Sequence, residues 1–468
     1  MTQESVVTGG AASISPQELD SLRRLAPGRV TVPGDSQWPA ARLGWSVNVD
    51  QQPLAVVEVL DAADVCAVVR YARSIGVGIT AQPVGHGATT AINGSILLRT
   101  GALDEIRVDA DAATAHVGAG VKWGALLAAT QQHSLVGLVG SSNDPSVVGL
   151  CLGDGLSWFG RAFGLSANDV LAVDMVTPDG EQVRVTAQSD PDLFWAVRGG
   201  GGEFGIVTSI DLALHPAPEL TGGRMLWPME RASDVFARAL ELTRDVPETC
   251  TIWANLLQFP PFPEVPEPLR GGRFVSVDVT YLGPLAELDR ILRPLREVRP
   301  PVIDLVGPVE ISHIDVIESE PVDPSPSLHT AALLRRCDGD TINALVEAVG
   351  ADSGSTLTSV QLRQLGGAMA RAGDGAGAAG AIDEPFMVFA LGVPMTPALE
   401  EAIHADLARL DAALAPYAAD RGCFNFLRPH DDRSRAHTPE TLARLRALKA
   451  ERDPDGLIRS NFPLSATA

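Results

Sequence analysis

The sequence predicts an α+β protein of at least two domains, because strand and helix signals occur in groups along its 468 residues. A strand–helix–strand unit at residues 55–81 is followed by several short strands in succession. Proline-rich sequence at 216–228 then marks a domain boundary. Beyond that boundary, strands and helices in alternating groups predict an antiparallel sheet that helices cover on one face.

The individual elements follow from local patterns. Asp61 can cap a helix that ends at Gly76, between strands at 55–60 and 77–81. Further strands are predicted at 96–99, 105–109, 114–120, 206–208, 251–258, 273–282 and 357–365, with a hairpin around the turn 178–180. Further helices are predicted at 123–132, 230–242, 285–298, 340–349, 396–414 and 438–451. The Ala/Gly-rich run 370–381 is predicted to be a loop.

Composition excludes several functional classes. A formal charge of −22 argues against a nucleic acid or an anionic membrane surface as partner. The five cysteines form no CxxC pair or Cys/His cluster, and their odd number fits a reducing cytosol, so a cytoplasmic location is expected. No apolar run reaches the roughly 20 residues that span a bilayer. Residues 1–17 are predicted to be a disordered tail and not a signal peptide.

The turn that follows the strand at 77–81 is the most informative local feature. Pro83, Gly85, His86 and Gly87 interrupt the apolar run, and such a turn leaves consecutive N–H groups open to an anion such as a pyrophosphate. The turn is neither a Walker loop nor a spaced-glycine dinucleotide fingerprint. Taken alone, a histidine in a glycine turn is usually an ordinary turn residue.

Two further stretches are rich in glycine. Residues 137–155 carry too few large side chains to form a core of their own, so we expect a flat group to pack against their backbone; a solvated loop is the alternative. Residues 192–208 begin as a helix with aromatic anchors, run through four successive glycines and end in a β-branched strand.

Together, the turn at 79–90, the string at 192–208 and the ending Asp-Pro-Asp-Gly-Leu-Ile-Arg-Ser-Asn at 453–461 resemble one family. This is the berberine-bridge-enzyme-like branch of the vanillyl-alcohol oxidase / para-cresol methylhydroxylase (PCMH) superfamily of flavoproteins. The resemblance is clear over about 30–217 and 420–465 and loose between them. It implies a PCMH-type FAD-binding domain at 29–217, a substrate domain at 218–420, a C-terminal segment at 421–468 that returns to the FAD domain, and a poorly ordered tail at 1–28.

The resemblance also implies which residues contact FAD. Those expected at the pyrophosphate are Gly85, His86 and Gly87. Those expected at the isoalloxazine and its chain are Gly140, Ser141, Ser142, Gly149 and Gly153. Those expected at the adenosine end are Gly200, Gly201, Ile206 and Val207. Asn425 and Asn461 are candidates for the polar edge of the ring, with a plain turn role as the alternative.

In this family, the histidine of an Arg-Ser-Gly-Gly-His loop commonly carries the flavin through its 8α-methyl group, and His86 matches that histidine. Gln82, Pro83 and Val84 replace the residues before it, so a cofactor-binding arginine is missing. Some members form a second link through a cysteine directly before a Pro-Thr-Val-Gly segment. We place that position at about Ser142, and therefore expect one covalent bond, through His86.

The resemblance implies an oxidase that takes a hydride from a small alcohol, sugar or amine, of the kind found in secondary metabolism, and reduces dioxygen. On the strand 359–365, Gln361 and Arg363 share one face and are the catalytic candidates, although neither is a base at neutral pH. Arg363 suits an anionic or carbonyl-bearing substrate; an exposed strand charge is the alternative.

The general base is therefore open. Four residues are unranked candidates for it: Glu310, His313, His430 and Asp431. Two other functions stay open beside the oxidase, namely a flavin-dependent monooxygenase or oxidative cyclase, and a redox-neutral or non-catalytic flavin-binding protein. The sequence does not indicate the oligomeric state.

Overall fold

A computed structural model describes residues 13–263 and 265–464. The first element, α1 (Pro16–Leu25), corrects the expectation of a poorly ordered tail at 1–28, of which residues 1–12 lie outside the described part. Ser15 and Glu18 form a capping box at its start, and the side chain of Leu22 is fully buried. The helix is ordered because it docks this apolar residue on the first core of the domain.

The first sheet of the N-terminal domain has four strands in the order β1-β2-β4-β3. Its strands are β1 (Val30–Thr31), β2 (Ala55–Glu58), β3 (Ile79–Ala81) and β4 (Ile96–Arg99). Strands β2 and β3 both run parallel to β4. The short helix α2 (Trp38–Arg42) precedes β2, and α3 (Ala62–Ser74), capped by Asp61, connects β2 to β3 as predicted.

The second sheet of this domain is antiparallel and has the order β5-β6-β10-β8-β9. Its strands are β5 (Ile106–Asp109), β6 (Thr114–Gly118), β8 (Val170–Val176), β9 (Gln182–Val185) and β10 (Ile206–Ala213). Strands β7 (Leu135–Val136) and β11 (His215–Pro216) form a separate pair. The helices are α4 (Trp123–Gln131), α5 (Val147–Cys151), α6 (Gly160–Phe163) and α7 (Pro191–Val197). The hairpin predicted around 178–180 is the pair β8–β9.

The middle region forms one eight-stranded sheet in the order β15-β12-β14-β13-β18-β19-β17, with β16 beside β12. Its strands are β12 (Thr221–Pro228), β13 (Cys250–Gln258), β14 (Arg273–Tyr281), β15 (Ile303–Asp304), β16 (Gly307–Pro308), β17 (Leu328–Leu334), β18 (Ser359–Gln364) and β19 (Phe386–Gly392). All pairings are antiparallel, as predicted. The sequence patterns did not reveal β12, β15, β16, β17 or β19.

The two faces of this sheet differ in chemistry. One face is apolar and packs against helices α8 (Ala232–Leu242), α9 (Leu285–Val298), α10 (Gly339–Val349) and α11 (Pro397–Leu414). Val277 and Leu362 belong to the core on that face. Successive residues of a strand point to opposite faces, so Asp278, Gln361 and Arg363 lie on the other face, which is polar. The predicted helix cover of an antiparallel sheet is confirmed.

The C-terminal segment joins the first sheet. After α12 (Pro439–Arg452), the carboxylate of Asp453 accepts hydrogen bonds from Leu457 N and Ile458 N, each at 2.9 Å. The segment then pairs with β3, where Ile79 N donates to Leu457 O and Arg459 N donates to Ile79 O, each at 2.8 Å. The motif at 453–461 therefore places its last residues beside the turn that follows β3.

None of the helices in the described part of the chain is both long and apolar enough to cross a bilayer. Over the same residues, no three His, Cys, Asp or Glu side chains are grouped so that they could hold a metal ion. The five cysteines are free thiols.

Candidate active site

The turn after β3 is fixed by local contacts. Gly85 has φ +94°, and a Cβ there would lie 2.6 Å from Gln82 Nε2 and 2.9 Å from the Cα of Gly44, so only glycine fits. The imidazole of His86 stacks on the indole of Trp45, with ring centroids 4.7 Å apart and an interplanar angle of 17°. The turn therefore presents His86 in one orientation, with 32% of its side chain exposed.

An acidic and a basic side chain face this histidine. Asp144 Oδ2 lies 3.5 Å from His86 Nε2, and Lys122 Nζ donates to Asp144 Oδ1 at 2.5 Å. Burial lowers the pKa of His86 to about 4, although the charge of Asp144 acts in the opposite direction. His86 is therefore a neutral imidazole at pH 7.

The asparagine at the C-terminal end holds this turn in place. Asn461 Oδ1 accepts from Thr89 N at 2.8 Å and from Gln51 Nε2 at 3.0 Å, while its Nδ2 donates to Gln82 Oε1 at 3.2 Å. The main-chain contact to Thr89 gives Asn461 a place in holding the turn, and its predicted contact with the ring stays a prediction. Gln82, which stands where the family has arginine, belongs to the same buried amide cluster.

The glycine-rich stretch at 137–155 is partly helical, since α5 begins at Val147 with Ser146 as its cap. Gly149 N donates to Ser146 Oγ at 3.1 Å. Asn425 packs against Gly153, where any Cβ would overlap its amide, and its Oδ1 accepts from Gly155 N at 2.8 Å. Gly153, Gly155 and Asn425 thus contact one another and shape the loop. The predicted role of Asn425 at the ring edge stays a prediction.

The residues predicted at the adenosine end split into two groups. Gly200 and Gly201 lie where the chain turns after α7, and Gly201 N donates to Leu152 O at 2.7 Å with φ +70°. Ile206 and Val207 are 2% and 6% exposed and belong to the two cores on either side of β10. Their side chains therefore pack inside the domain, and only their backbone is left for a ligand.

Three other glycines present bare backbone to open space. A Cβ at Gly202 would meet nothing within 4 Å; at Gly87 it would meet only Phe462, and at Gly140 only Leu156 O, each at 3.7 Å. The three loops thus combine uncovered backbone with a histidine of fixed orientation. This donor set fits a flat, phosphate-bearing cofactor such as FAD.

The polar face of the large sheet carries a buried charge network. Arg224 binds Asp278 through two hydrogen bonds of 2.7 Å, and its Nη2 donates to Glu318 Oε2 at 3.1 Å. Gln361 Nε2 donates to the same oxygen at 3.0 Å, and Arg363 Nε donates to Gln361 Oε1 at 2.8 Å. The two predicted catalytic residues are therefore in direct contact and belong to one network.

Glu318 is a member of this network whose charged form is disfavoured. Burial, and next the charge of Asp278, raise the pKa of Glu318 well above its ordinary value, while Arg224 acts to lower it. Within the described residues, Glu318 Oε1 is buried without a hydrogen-bond partner. The protonated form of Glu318 is therefore favoured relative to an exposed glutamate.

Arg363 is buried and not an exposed strand charge, which corrects that alternative. It is 4% exposed, and its guanidinium carbon lies 4.1 Å from the ring of Trp253, 5.2 Å from Phe389 and 5.3 Å from Phe426. Trp253 in turn stacks on Trp158 of the N-terminal domain, with centroids 3.6 Å apart. This face of the sheet thus packs directly against the N-terminal domain.

One carboxylate connects the two parts of the site. Ser141 Oγ donates to Glu320 Oε1 at 3.0 Å, across 179 residues of sequence. Ser141 belongs to the same loop as Asp144, and Glu320 lies two residues beyond Glu318. Glu320 was not a sequence candidate, because it stands in a loop with no recognisable motif.

Comparison with known proteins shows what this chain is similar to. Residues 53–186 match the family FAD_binding_4, described as an FAD binding domain. An FAD-dependent monooxygenase of Fusarium proliferatum is 34% identical over 41% of this chain and 38% of its own length. The matched segment covers between a quarter and two fifths of the length of three fungal relatives that are 31–34% identical to this chain. The (R)-6-hydroxynicotine oxidase of Paenarthrobacter nicotinovorans is 26% identical over 93% of this chain and 96% of its own length.

The wild-type structure of Physcomitrella patens BBE-like 1, a berberine-bridge-enzyme-like protein, shares the fold. It has a TM-score of 0.83 and 21% identity, and covers 96% of this chain and 100% of its own. The chain contains an FAD-binding domain, is similar in sequence to FAD-linked oxidoreductases, and shares its fold with a berberine-bridge-enzyme-like protein. The resemblance predicted from the three motifs is thereby confirmed.

The position assigned to a second flavin link needs correction. The counterpart of the Pro-Thr-Val-Gly segment begins at Pro145, so the residue directly before it is Asp144 and not Ser142. Ser142 is buried, and its Oγ accepts from Asp144 N at 3.2 Å. The missing cysteine is thus replaced by the carboxylate that faces His86.

The four base candidates taken from the sequence lie elsewhere. Glu310 and His313 face each other at 3.7 Å and are 69% and 68% exposed. His430 is exposed, and Asp431 is bound by Arg428 and Arg435. None of them has a contact with the polar sheet face or the His86 turn among the ion pairs and hydrogen bonds of the described residues.

Proposed function

We propose that this chain is an FAD-dependent oxidase that takes a hydride from a small-molecule alcohol, sugar or amine and passes the electrons to dioxygen. The observation that carries the proposal is the hydrogen bond of 3.0 Å between Ser141 and Glu320. It brings a half-buried carboxylate to the border between the flavin loops and the polar sheet face. A carboxylate there is within reach of the proton that a hydroxyl or amine loses.

Bound FAD supplies the hydride acceptor. The chain supplies the rest: Glu320 accepts the substrate proton, and Gln361 and Arg363 line the wall on which the substrate rests. Arg363 cannot act as a base, but its guanidinium, held among the rings of Trp253, Phe389 and Phe426, has further N–H donors for a substrate oxygen. The relative that aligns along nearly the whole chain is named an oxidase, which supports this choice.

An anaerobic reduction assay tests the function. Purified flavoprotein is mixed without oxygen with panels of small alcohols, sugars and amines, and the flavin absorbance near its visible maximum is followed. A true substrate is expected to bleach the flavin, and admitted air is expected to restore the colour with one hydrogen peroxide per flavin. Bleaching without return of colour in air would replace the oxidase by a dehydrogenase. No bleaching by any class would favour a redox-neutral role.

A flavin-dependent monooxygenase is the second candidate, because a fungal relative of 34% identity carries that name. The two functions differ in product. An oxidase product has lost two hydrogen atoms and all the oxygen appears as peroxide, whereas a monooxygenase product has gained one oxygen atom. Product mass in oxygen-18 gas separates them.

We further propose that His86 carries the FAD covalently and alone. Changing His86 to alanine is expected to remove all acid-stable flavin, because the position of the second link holds Asp144 and not the cysteine that forms that link. The measurement is flavin fluorescence of the acid-washed band on a denaturing gel. The His133→Ala variant, which changes an exposed histidine, serves as control and is expected to keep the fluorescent band. A fluorescent band in His86→Ala would mean that another residue holds the cofactor.

A further inference from the structure

We infer that Asp144 accepts the imidazole proton when the bond between His86 and FAD forms, and that Lys122 holds its carboxylate in position for this step. The inference rests on the proposed covalent link at His86. It assigns a role to two residues that substrate oxidation does not use.

The position of the Asp144 carboxylate carries the inference. The residue is 8% exposed, and its two oxygens differ in their surroundings. Oδ1 accepts from Lys122 Nζ at 2.5 Å. Oδ2 is buried, has no hydrogen-bond partner among the described residues, and lies 3.5 Å from His86 Nε2. An unpartnered carboxylate oxygen is costly to bury, so its orientation toward the histidine needs a reason beyond stability.

The histidine is prepared for the same step. Trp45 stacks on the imidazole, with ring centroids 4.7 Å apart, and burial lowers the pKa of His86 to about 4, so the ring is neutral at pH 7. A carboxylate is an acceptor only, so Asp144 favours the tautomer with hydrogen on Nε2. The lone pair of His86 is then on Nδ1, which becomes the nucleophile. A slight rotation of the ring brings Nε2 within hydrogen-bond distance of Oδ2.

The balance of the reaction follows from this arrangement. A bond forms between Nδ1 and the 8α-methyl carbon of FAD, while one C–H bond of that methyl group and the Nε2–H bond break. Asp144 takes the Nε2 proton. The electron pair of the C–H bond passes to the ring system and then to dioxygen, which leaves as hydrogen peroxide with the two protons released. One FAD, one imidazole and one dioxygen thus give the linked cofactor and one peroxide.

The test is the rate of covalent attachment in the full-length chain. Chains produced under riboflavin limitation are incubated with FAD in air, and acid-stable flavin and intact mass are followed with time. The Asp144→Asn variant keeps the shape but loses the basic oxygen. Its attachment rate is expected to fall about a hundredfold, the usual scale of a lost proton acceptor, while its reversible FAD binding stays within about threefold. The linked peptide from the wild type is expected to carry flavin on Nδ1.

Two further variants sharpen the result. Asp169→Asn removes the carboxylate of a similar pair, in which Asp169 Oδ2 lies 2.7 Å from His215 Nε2, and it is expected to leave the attachment rate unchanged. Lys122→Met keeps Asp144 but removes the hydrogen bond that holds its carboxylate, so it is expected to slow attachment. If Asp144→Asn does not fold, the attachment rate of Lys122→Met tests the inference.

Attachment at the wild-type rate in Asp144→Asn, or in Lys122→Met where the former does not fold, overturns the inference and leaves the proposed oxidase intact. A flavin on Nε2 also overturns it. A wild type that binds FAD without any acid-stable flavin overturns both the link and this inference, and the anaerobic reduction assay still decides the oxidase function separately.

Discussion

Changing Arg224 to methionine is expected to lower the free energy of unfolding by about 3–5 kcal/mol, the usual cost of leaving a buried charge without its partner. Arg224 is the cation between two carboxylates that are almost fully buried, with side-chain exposures of 0% for Asp278 and 2% for Glu318. Methionine fills a similar volume, so the loss is electrostatic and does not come from a cavity. Urea unfolding followed by circular dichroism measures it.

A matched control is Arg296→Met. Arg296 also binds two carboxylates, Asp289 and Asp304, each at 2.8 Å, but it is 27% exposed and its partners are 50% and 30% exposed. The loss there is expected to stay below about 1 kcal/mol. Equal losses in the two variants would contradict the view that burial makes the Arg224 network critical.

The same network makes the free energy of unfolding depend on pH. The native pKa of Glu318 is raised, so the native chain holds that proton more tightly than the unfolded chain. Its contribution is therefore complete below the unfolded pKa of about 4.3 and is lost as pH rises through the native value. Glu318→Gln is expected to remove this loss and to be as stable as the wild type or more so at pH 8. Its new amide group can donate toward Asp278.

Changing Glu320 to glutamine is expected to slow anaerobic flavin reduction by about 10²–10⁴-fold, the range for loss of a general base. Glutamine keeps the length of the side chain and can still accept a hydrogen bond from Ser141, but it cannot take a proton at neutral pH. Flavin content and melting temperature are expected to stay unchanged. Stopped-flow reduction by a substrate from the panel measures the rate.

The control for this variant is Glu310→Gln, which changes an exposed carboxylate ten positions earlier in the chain. Its flavin is expected to be reduced at the wild-type rate. A normal rate in Glu320→Gln would remove the base from the proposal. The mechanism would then resemble hydride loss from a neutral amine, for which no protein base is needed.

Local chemistry explains which features the sequence could predict. The turn at His86 and the motif at 453–461 are each built from residues near one another in sequence, so a short stretch of sequence is enough to predict them. Strand β12 was missed because the pair Gly222 and Gly223 breaks its apolar pattern. Glu320 was missed because its partner Ser141 is 179 residues away, and no local pattern reports such a contact.

The return of residues 453–461 to strand β3 has a consequence for biosynthesis. Thr89 and Asn461 are 372 residues apart in sequence, yet the contacts of Leu457, Arg459 and Asn461 complete the sheet and the turn that holds His86. A nascent chain folds from its N-terminus as it emerges. The histidine turn is therefore completed only after residues 453–461 have been synthesised, so we expect cofactor attachment at His86 to require that segment.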